Sequence, residues 1–416
     1  MLRFIKHIPI LLLSLLLFPQ ASVGQSFKTT IFDLNDMNDL SDLSYLKTVL
    51  RNKKVVLLGE SSHGIGEFYS LKSRIVKYLH QELGFEVIFM ESGLGDVYFQ
   101  YKGIDTVSAK SLRNRTVYGN FQCEEMMPLY DYLKFSNDCC SSPGDKPLKY
   151  AGFDSQNFTS SIELFEKIID KYEPNKGKTL MADILKYYEI PKYLWGNDSQ
   201  PLFAYSDTIK RAAQEALGII QENRTSLYSD FGLDEMDVKV IERTMINYGK
   251  AVDLDWNIDN PMARRDSLMA ENLFWMLENV YPNKKVIIWG HNLHIDKSGA
   301  NDDPNKWMGH FITERFGKKA YHLGFFAREG ETYEWWTKSI KSYKNDSLGN
   351  VEFLINPSKD GALFMDFTKI KKSNRPSWMF NYITGFEVEN GGYASFIPSK
   401  RFDGIVVVGK AHVPTY

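Results

Sequence analysis

Cysteine is scarce in this chain: three residues in 416. Cys139 and Cys140 are adjacent and poorly placed to pair with each other, so Cys123 with one of them makes at most one disulfide. No C-x-x-C spacing exists, which removes the commonest cysteine metal framework. No G-x-S-x-G elbow occurs either, so Ser61 and Ser62 lack the usual context of a serine nucleophile. An excess of one charge is also absent. Lys and Arg total 50 against 52 Asp and Glu, which gives no reason to expect nucleic acid or an anionic membrane as partner. Internal repeats are missing, and the one long apolar run, Ile8 to Phe18, is too short for a comfortable bilayer span.

That run has a different reading. Arg3 and Lys6 precede it, and the small residues Ala21-Ser22-Val23-Gly24 follow. The pattern is that of an export signal over residues 1–24, cut after Gly24, with an uncleaved anchor as the alternative. No cysteine follows the run, so a lipoprotein box is not expected. The expectation is an exported protein, periplasmic or secreted, with no stable membrane insertion once the signal is removed. Five N-x-S/T sequons, Asn114 and Asn223 among them, matter only in a host that glycosylates.

Residues 25–416 suffice for one large domain or two. The aromatic share of 14% points to large cores and a pocket for a bulky ligand. After a polar lead-in arm, Ser41 reads as an N-cap before Leu43, Leu46, Val49 and Leu50 at helical spacing. Val55–Leu58 reads as a buried strand. Phe68, Leu71, Ile75, Leu79 and Leu83 then fall on one helix face, with Gly84 as the stop. Further strands are read at Val87–Met90, Tyr150–Phe153, Val286–Trp289, Ala320–Phe326 and Gly404–Val408. About 160–280 is helical in pattern and reads as an inserted subdomain, whereas 330–400 reads as loops and short elements. The expected class is α/β: a mostly parallel central sheet flanked by helices, with that helical subdomain inserted.

Four of these strands end alike. Each apolar run is followed directly by ionisable residues: Glu60 and His63, then Glu91, then Asp154, then His291 and His294. If the strands are parallel, their carboxyl ends share one sheet edge, and these residues converge on one crevice. Singly, each has a plainer explanation. Glu91 and Asp154 suit helix N-caps, Glu60 a surface ion pair, and His63 a turn. Together they describe a candidate active site.

A neutral histidine is a good general base near pH 7, and a carboxylate on its other nitrogen fixes the tautomer. A second histidine can bind a developing oxyanion or protonate a leaving alcohol. The same residues also suit a metal site of two or three histidines and a carboxylate, which generates hydroxide directly. His291 and His294 sit three apart, as a metal pair or a base with its partner would.

The motifs resemble those of the erythromycin esterase family. Gly59-Glu60-Ser61-Ser62-His63-Gly64 with Glu67-Phe68 and Leu71-Lys72 is similar to its opening block, and Gly84-Phe85 through Glu91 to its second. Gly152-Phe153-Asp154, Arg265-Asp266-Ser267-Leu268-Met269-Ala270-Glu271-Asn272, and Trp289-Gly290-His291-Asn292-Leu293-His294 with Met308-Gly309 follow in order. Phe402-Asp403-Gly404-Ile405 resembles the closing strand. The resemblance implies a hydrolase that opens a macrolide lactone with water and confers macrolide resistance, without a cofactor. His63 would be the base, Glu60 its partner, and Glu91, His291 and His294 the rest of the catalytic pocket. Lys72, Arg265 and Asp154 would contact substrate. Lys72 stands where many members carry Arg, and Lys lacks the bidentate fork. Arg265 also suits a structural ion pair with Asp266 or a nearby acid. The partner implied is a small-molecule macrolide. Two alternatives stay open: an exported metal-dependent hydrolase of another ester or polysaccharide-linked substrate, and a non-catalytic binding relative.

Overall fold

The computed structural model describes residues 29–34, 38–138, 146–156, 160–189, 201–252, 261–298, 306–335, 337–387 and 392–416. The segment 1–24 read as an export signal, the pair Cys139 and Cys140, and Trp336 lie outside them. In chain order the strands are β1 (Thr29–Asp33), β2 (Val55–Leu58), β3 (Val87–Gly93), β4 (Lys149–Asp154), β5 (Val286–Trp289), β6 (Ala320–Glu334), β7 (Ser339–Lys344), β8 (Gly361–Asp366), β9 (Ile383–Glu387), β10 (Gly392–Phe396) and β11 (Gly404–Ala411). The main sheet runs β1-β8-β11-β6-β2-β5-β3-β4, with β7 added to β6; β9 and β10 pair separately.

From β11 to β4, six neighbouring strands are parallel. Among the described residues, antiparallel pairing within this sheet joins β1 with β8, β8 with β11, and β7 with β6. The sheet is thus mostly parallel, as expected. The central strands are apolar throughout because both faces are covered. Val56, Leu58, Ile88, Met90 and Ile287 pack in one core with Phe68, Leu71, Ile75 and Leu79 of the Gly66–Leu83 helix. Their alternates Val55, Leu57, Val87, Phe89 and Ile288 pack with Met269, Leu273 and Met276 of the Pro261–Asn279 helix on the other face. Gly84 closes the first of these helices at φ 66°, and its amide bonds the carbonyl of His80.

Between β4 and β5 the described residues form helices, among them Ile162–Tyr172, Pro201–Glu222 and Glu235–Ala251. They share a core of their own, which includes Phe165, Ile169, Met181, Ala213, Ile241 and Tyr248.

Two local readings need correction. Ser41 does not cap a helix. Its hydroxyl bonds Asp39, and a 3₁₀ turn, Ser41–Tyr45, leads into the helix Leu46–Leu50. The lead-in arm contains β1, which pairs with β8 across more than 300 residues of sequence. The short elements expected over 330–400 include β7 to β10. These strands are short and paired antiparallel.

Candidate active site

β2, β5, β3 and β4 are consecutive in the sheet and mutually parallel. They are the four strands that end in ionisable residues, so those ends meet along one edge.

The turn after β2 packs tightly. A Cβ at Gly59 would lie 2.1 Å from Oδ1 of Asn292, and one at Gly64 would lie 2.1 Å from the Tyr333 carbonyl oxygen. Only glycine allows both approaches. Asn292 itself is structural: its amide bonds the carbonyl of Phe325 and accepts from the Phe325 N–H, tying this edge to β6. Ser62 is turned inward, with Thr332 Oγ1 at 2.7 Å and the Gly64 N–H donating to its hydroxyl. It is placed as a structural bond and not as a nucleophile.

Glu60 is fully buried. One oxygen lies 2.7 Å from Nδ1 of His63, while the other accepts from Lys72 Nζ at 2.7 Å and from the Trp289 indole at 3.2 Å. A carboxylate on Nδ1 keeps the proton there and leaves Nε2 as the basic nitrogen. The His63 side chain keeps 18% of its surface exposed, and its ring stacks edge-on against Phe121 at 5.3 Å. Lys72, expected among the substrate contacts, is wholly buried, with its ammonium 4.1 Å from the centre of the Trp289 ring. Burial pushes Lys72 down to about 8, against the opposing pull of Glu60.

The His291 ring lies 5.3 Å from that of His63. Its Nδ1 accepts the Leu293 N–H at 3.2 Å, which puts the ring proton on Nε2. The facing histidines therefore carry complementary tautomers: His63 offers a lone pair, and His291 a donor. Behind them, Glu91 accepts the His291 backbone N–H at 3.0 Å.

His294 is almost wholly buried. Nδ1 stands 2.7 Å from Asp266 Oδ1, and Nε2 stands 3.3 Å from Glu91 Oε1. Burial opposes its charged form, but Asp266 and Glu91 outweigh burial and raise it to about 10. Arg265 Nη1 is also near Nε2, at 3.2 Å. If His294 were neutral, Nε2 would accept from Arg265. Among the described residues, the carboxylates Glu60, Glu91, Asp154 and Asp266 are set against Lys72 and Arg265 as fixed cations, and this deficit favours the imidazolium.

Arg265 forms a bidentate pair with Asp154, at 3.1 and 2.7 Å, and reaches Glu91 at 3.0 Å. Its acid partners are thus Asp154 and Glu91, while Asp266 is committed to His294. Burial would lower Arg265, but Asp154 and Glu91 hold it well above its ordinary value. Burial would likewise raise Glu91, yet His294, Arg265 and His63 hold it well below the carboxylate range. Tyr118 donates to Asp154 at 3.0 Å, and a cleft of about 440 Å³ opens beside it, lined also by Asn114, Arg115, Gln122 and Glu163.

All eight residues singled out in the sequence are brought together. Of the aromatic residues, Tyr118 and Phe121 lie at the site, whereas Tyr98 bonds Asp237 and Tyr101 bonds the Leu148 carbonyl. Two contributors were not singled out for a role at the site, Asp266 and Trp289. Their only signal was position, beside Arg265 and before Gly290-His291. Among the described residues, no group of three or more His, Cys, Asp or Glu is arranged to hold a metal ion. His291 and His294 do not form a chelating pair, because the His294 nitrogens face Asp266 and Glu91.

A parallel sheet with histidine–carboxylate pairs at its strand ends is the frame of a hydrolase. The sequence profile of the family described as Erythromycin esterase matches residues 80–411, and the chain belongs to that family. It is 29% identical to a Bacillus subtilis (strain 168) protein named "Putative hydrolase YbfO", over 87% of this chain and 84% of that one. It is 22% identical to "Erythromycin esterase type II" of Escherichia coli, over 69% and 72%. Its fold matches a Bacillus cereus crystal structure with a TM-score of 0.69 at 20% identity, over 93% and 96% of the two chains. It also matches a mutant of the erythromycin esterase EreC in its open conformation, with a TM-score of 0.58 at 16% identity, over 92% and 98%.

Proposed function

We propose that this protein opens the lactone ring of a macrolide by hydrolysis. The observation that carries the reading is the facing pair of histidines: a carboxylate-backed base, His63, opposite a ring N–H donor, His291. His63 Nε2 takes a proton from water as the oxygen attacks the ester carbonyl carbon. His291 Nε2–H donates to the oxyanion that forms. The carbon–oxygen bond of the ester then breaks, and the alkoxide receives the proton that His63 took. The products are a carboxylic acid and an alcohol on one opened chain, heavier by one water. Glu60 holds His63 in its working tautomer throughout.

The substrate class rests on family membership and on the named relative. Export by the segment 1–24 would place the enzyme where an incoming macrolide passes, and resistance would follow. The test is mass spectrometry of 14- and 16-membered macrolides and simple linear esters after incubation with the purified protein, with and without chelator. A gain of one water on a macrolide, unaffected by chelator, is expected. Hydrolysis of linear esters alone would overturn the substrate class, and loss of activity with chelator would overturn the metal-free chemistry.

A further inference from the structure

The site holds two histidine–carboxylate pairs with the same spacing. Glu60 stands 2.7 Å from Nδ1 of His63, and Asp266 stands 2.7 Å from Nδ1 of His294. They differ in what the second carboxylate oxygen meets. In Glu60 it meets a cation, Lys72 Nζ at 2.7 Å. In Asp266, among the described residues, it meets a backbone amide, the N–H of Met308 at 2.8 Å. The negative charge of Glu60 is shared with Lys72, whereas that of Asp266 is left to His294.

The far nitrogens differ too. Nε2 of His294 lies between a second carboxylate, Glu91 Oε1 at 3.3 Å, and Arg265 Nη1 at 3.2 Å, whereas the His63 ring faces the His291 and Phe121 rings. The groups around His294 are Asp266 and Arg265 on the Pro261–Asn279 helix, Glu91 at the end of β3, Asp154 at the end of β4, and His291 on its own turn.

We propose that Asp266 is a positioning residue that keeps His294 as a fixed imidazolium, so that of the two histidine–carboxylate pairs only His63 acts as a base. The inference rests on the hydrolytic reading of the site. Asp266 fixes His294 mechanically as well. Its second oxygen holds Met308, the first residue of the Met308–Phe316 helix, and the next amide, of Gly309, donates to the His294 carbonyl at 2.8 Å. A Cβ at Gly309 would lie 2.4 Å from the Ile295 carbonyl, so the helix start and the histidine turn are in close contact. The charged ring then faces Glu91, which in turn bonds the backbone of His291. The cation thereby supports the donor side of the site without entering the proton transfer itself.

The experiment is an NMR titration of the imidazole nitrogens in protein labelled with ¹⁵N-histidine, from pH 5 to 9. The His294 signals are identified by their loss in His294→Gln. In the wild-type protein His294 is expected to carry both ring protons at pH 8 and to keep the second one to higher pH than His63. In Asp266→Asn, His294 is expected to lose the second proton by pH 8. A singly protonated His294 in the wild-type protein at pH 8 would overturn the proposal, as would an unchanged titration in Asp266→Asn. Should that variant not fold, the wild-type titration decides alone. Because no substrate is used, the result stands apart from whether a macrolide is hydrolysed.

Discussion

Two buried ion clusters among the described residues differ in what they hold, and the first is the proposed active site. The first gathers Glu60, Lys72, Glu91, Asp154 and Arg265 at the strand ends. The second lies toward the C-terminal end of the chain, where Arg401 pairs with Asp296 at 2.8 Å and with Glu387 at 2.9 Å, its guanidinium flanked by the Phe396 and Phe402 rings. Both are buried, and both contain more carboxylates than cations. The difference lies in histidine. The first cluster delivers its charge to imidazoles, one of which keeps a face open to the crevice, whereas the second joins a loop, a helix and a strand and stops there. Buried charge is therefore not the signature of the site. Charge spent on setting a titratable ring is.

The comparison can be broken at either cluster. Of changes within the two clusters, the largest effect is expected from Glu60→Gln, which keeps the shape but removes the charge that orients His63. Ester hydrolysis should fall by roughly 10²–10⁴ in kcat/KM, the usual worth of positioned acid–base catalysis, with the circular dichroism spectrum retained. A loss below tenfold would place Glu60 outside the reaction. Arg401→Met should do the opposite. It leaves Asp296 and Glu387 buried without their cation and should cost about 3–5 kcal/mol of unfolding free energy, read by urea denaturation, with kcat/KM of the remaining folded protein little changed.

The smallest effect concerns Glu352, buried beside the second cluster, where its carboxylate accepts the Phe386 N–H at 2.7 Å. Burial raises it to about 8. The native state therefore holds a proton that the unfolded chain, with an ordinary carboxyl near 4.5, has already released. This contribution to stability is lost as pH rises from about 4.5 through 8. Glu352→Gln should flatten that decline, so its thermal midpoint relative to the wild-type protein should rise between pH 5 and pH 9. An unchanged difference would show that Glu352 is ionised in the folded protein.

How much of this could be read in the sequence follows from where the forces lie. Val55–Leu58 and Val286–Trp289 have the same ends in sequence and structure because a parallel strand covered on both faces is one unbroken apolar run. The convergence of Glu60, His63, Glu91, Asp154, His291 and His294 was legible for the same reason: parallel strands put their carboxyl ends together. The pairings among them were not. Nothing local to Arg265-Asp266 says that the arginine turns to Asp154, 111 residues away, and the aspartate to His294. Likewise, β6 continues from Phe326 to Glu334 through the polar Arg328–Glu334 because β7 and β11 pair with it there, a partner effect invisible in propensity.

The central claim is that His63 activates water against an ester. The most direct measurement is the product mass and rate for erythromycin with the wild-type protein and with His63→Ala, each shown to be folded. The account predicts a product heavier by one water with the wild-type protein and none with the variant. A folded His63→Ala protein that forms the same product at near-wild-type rate would contradict it.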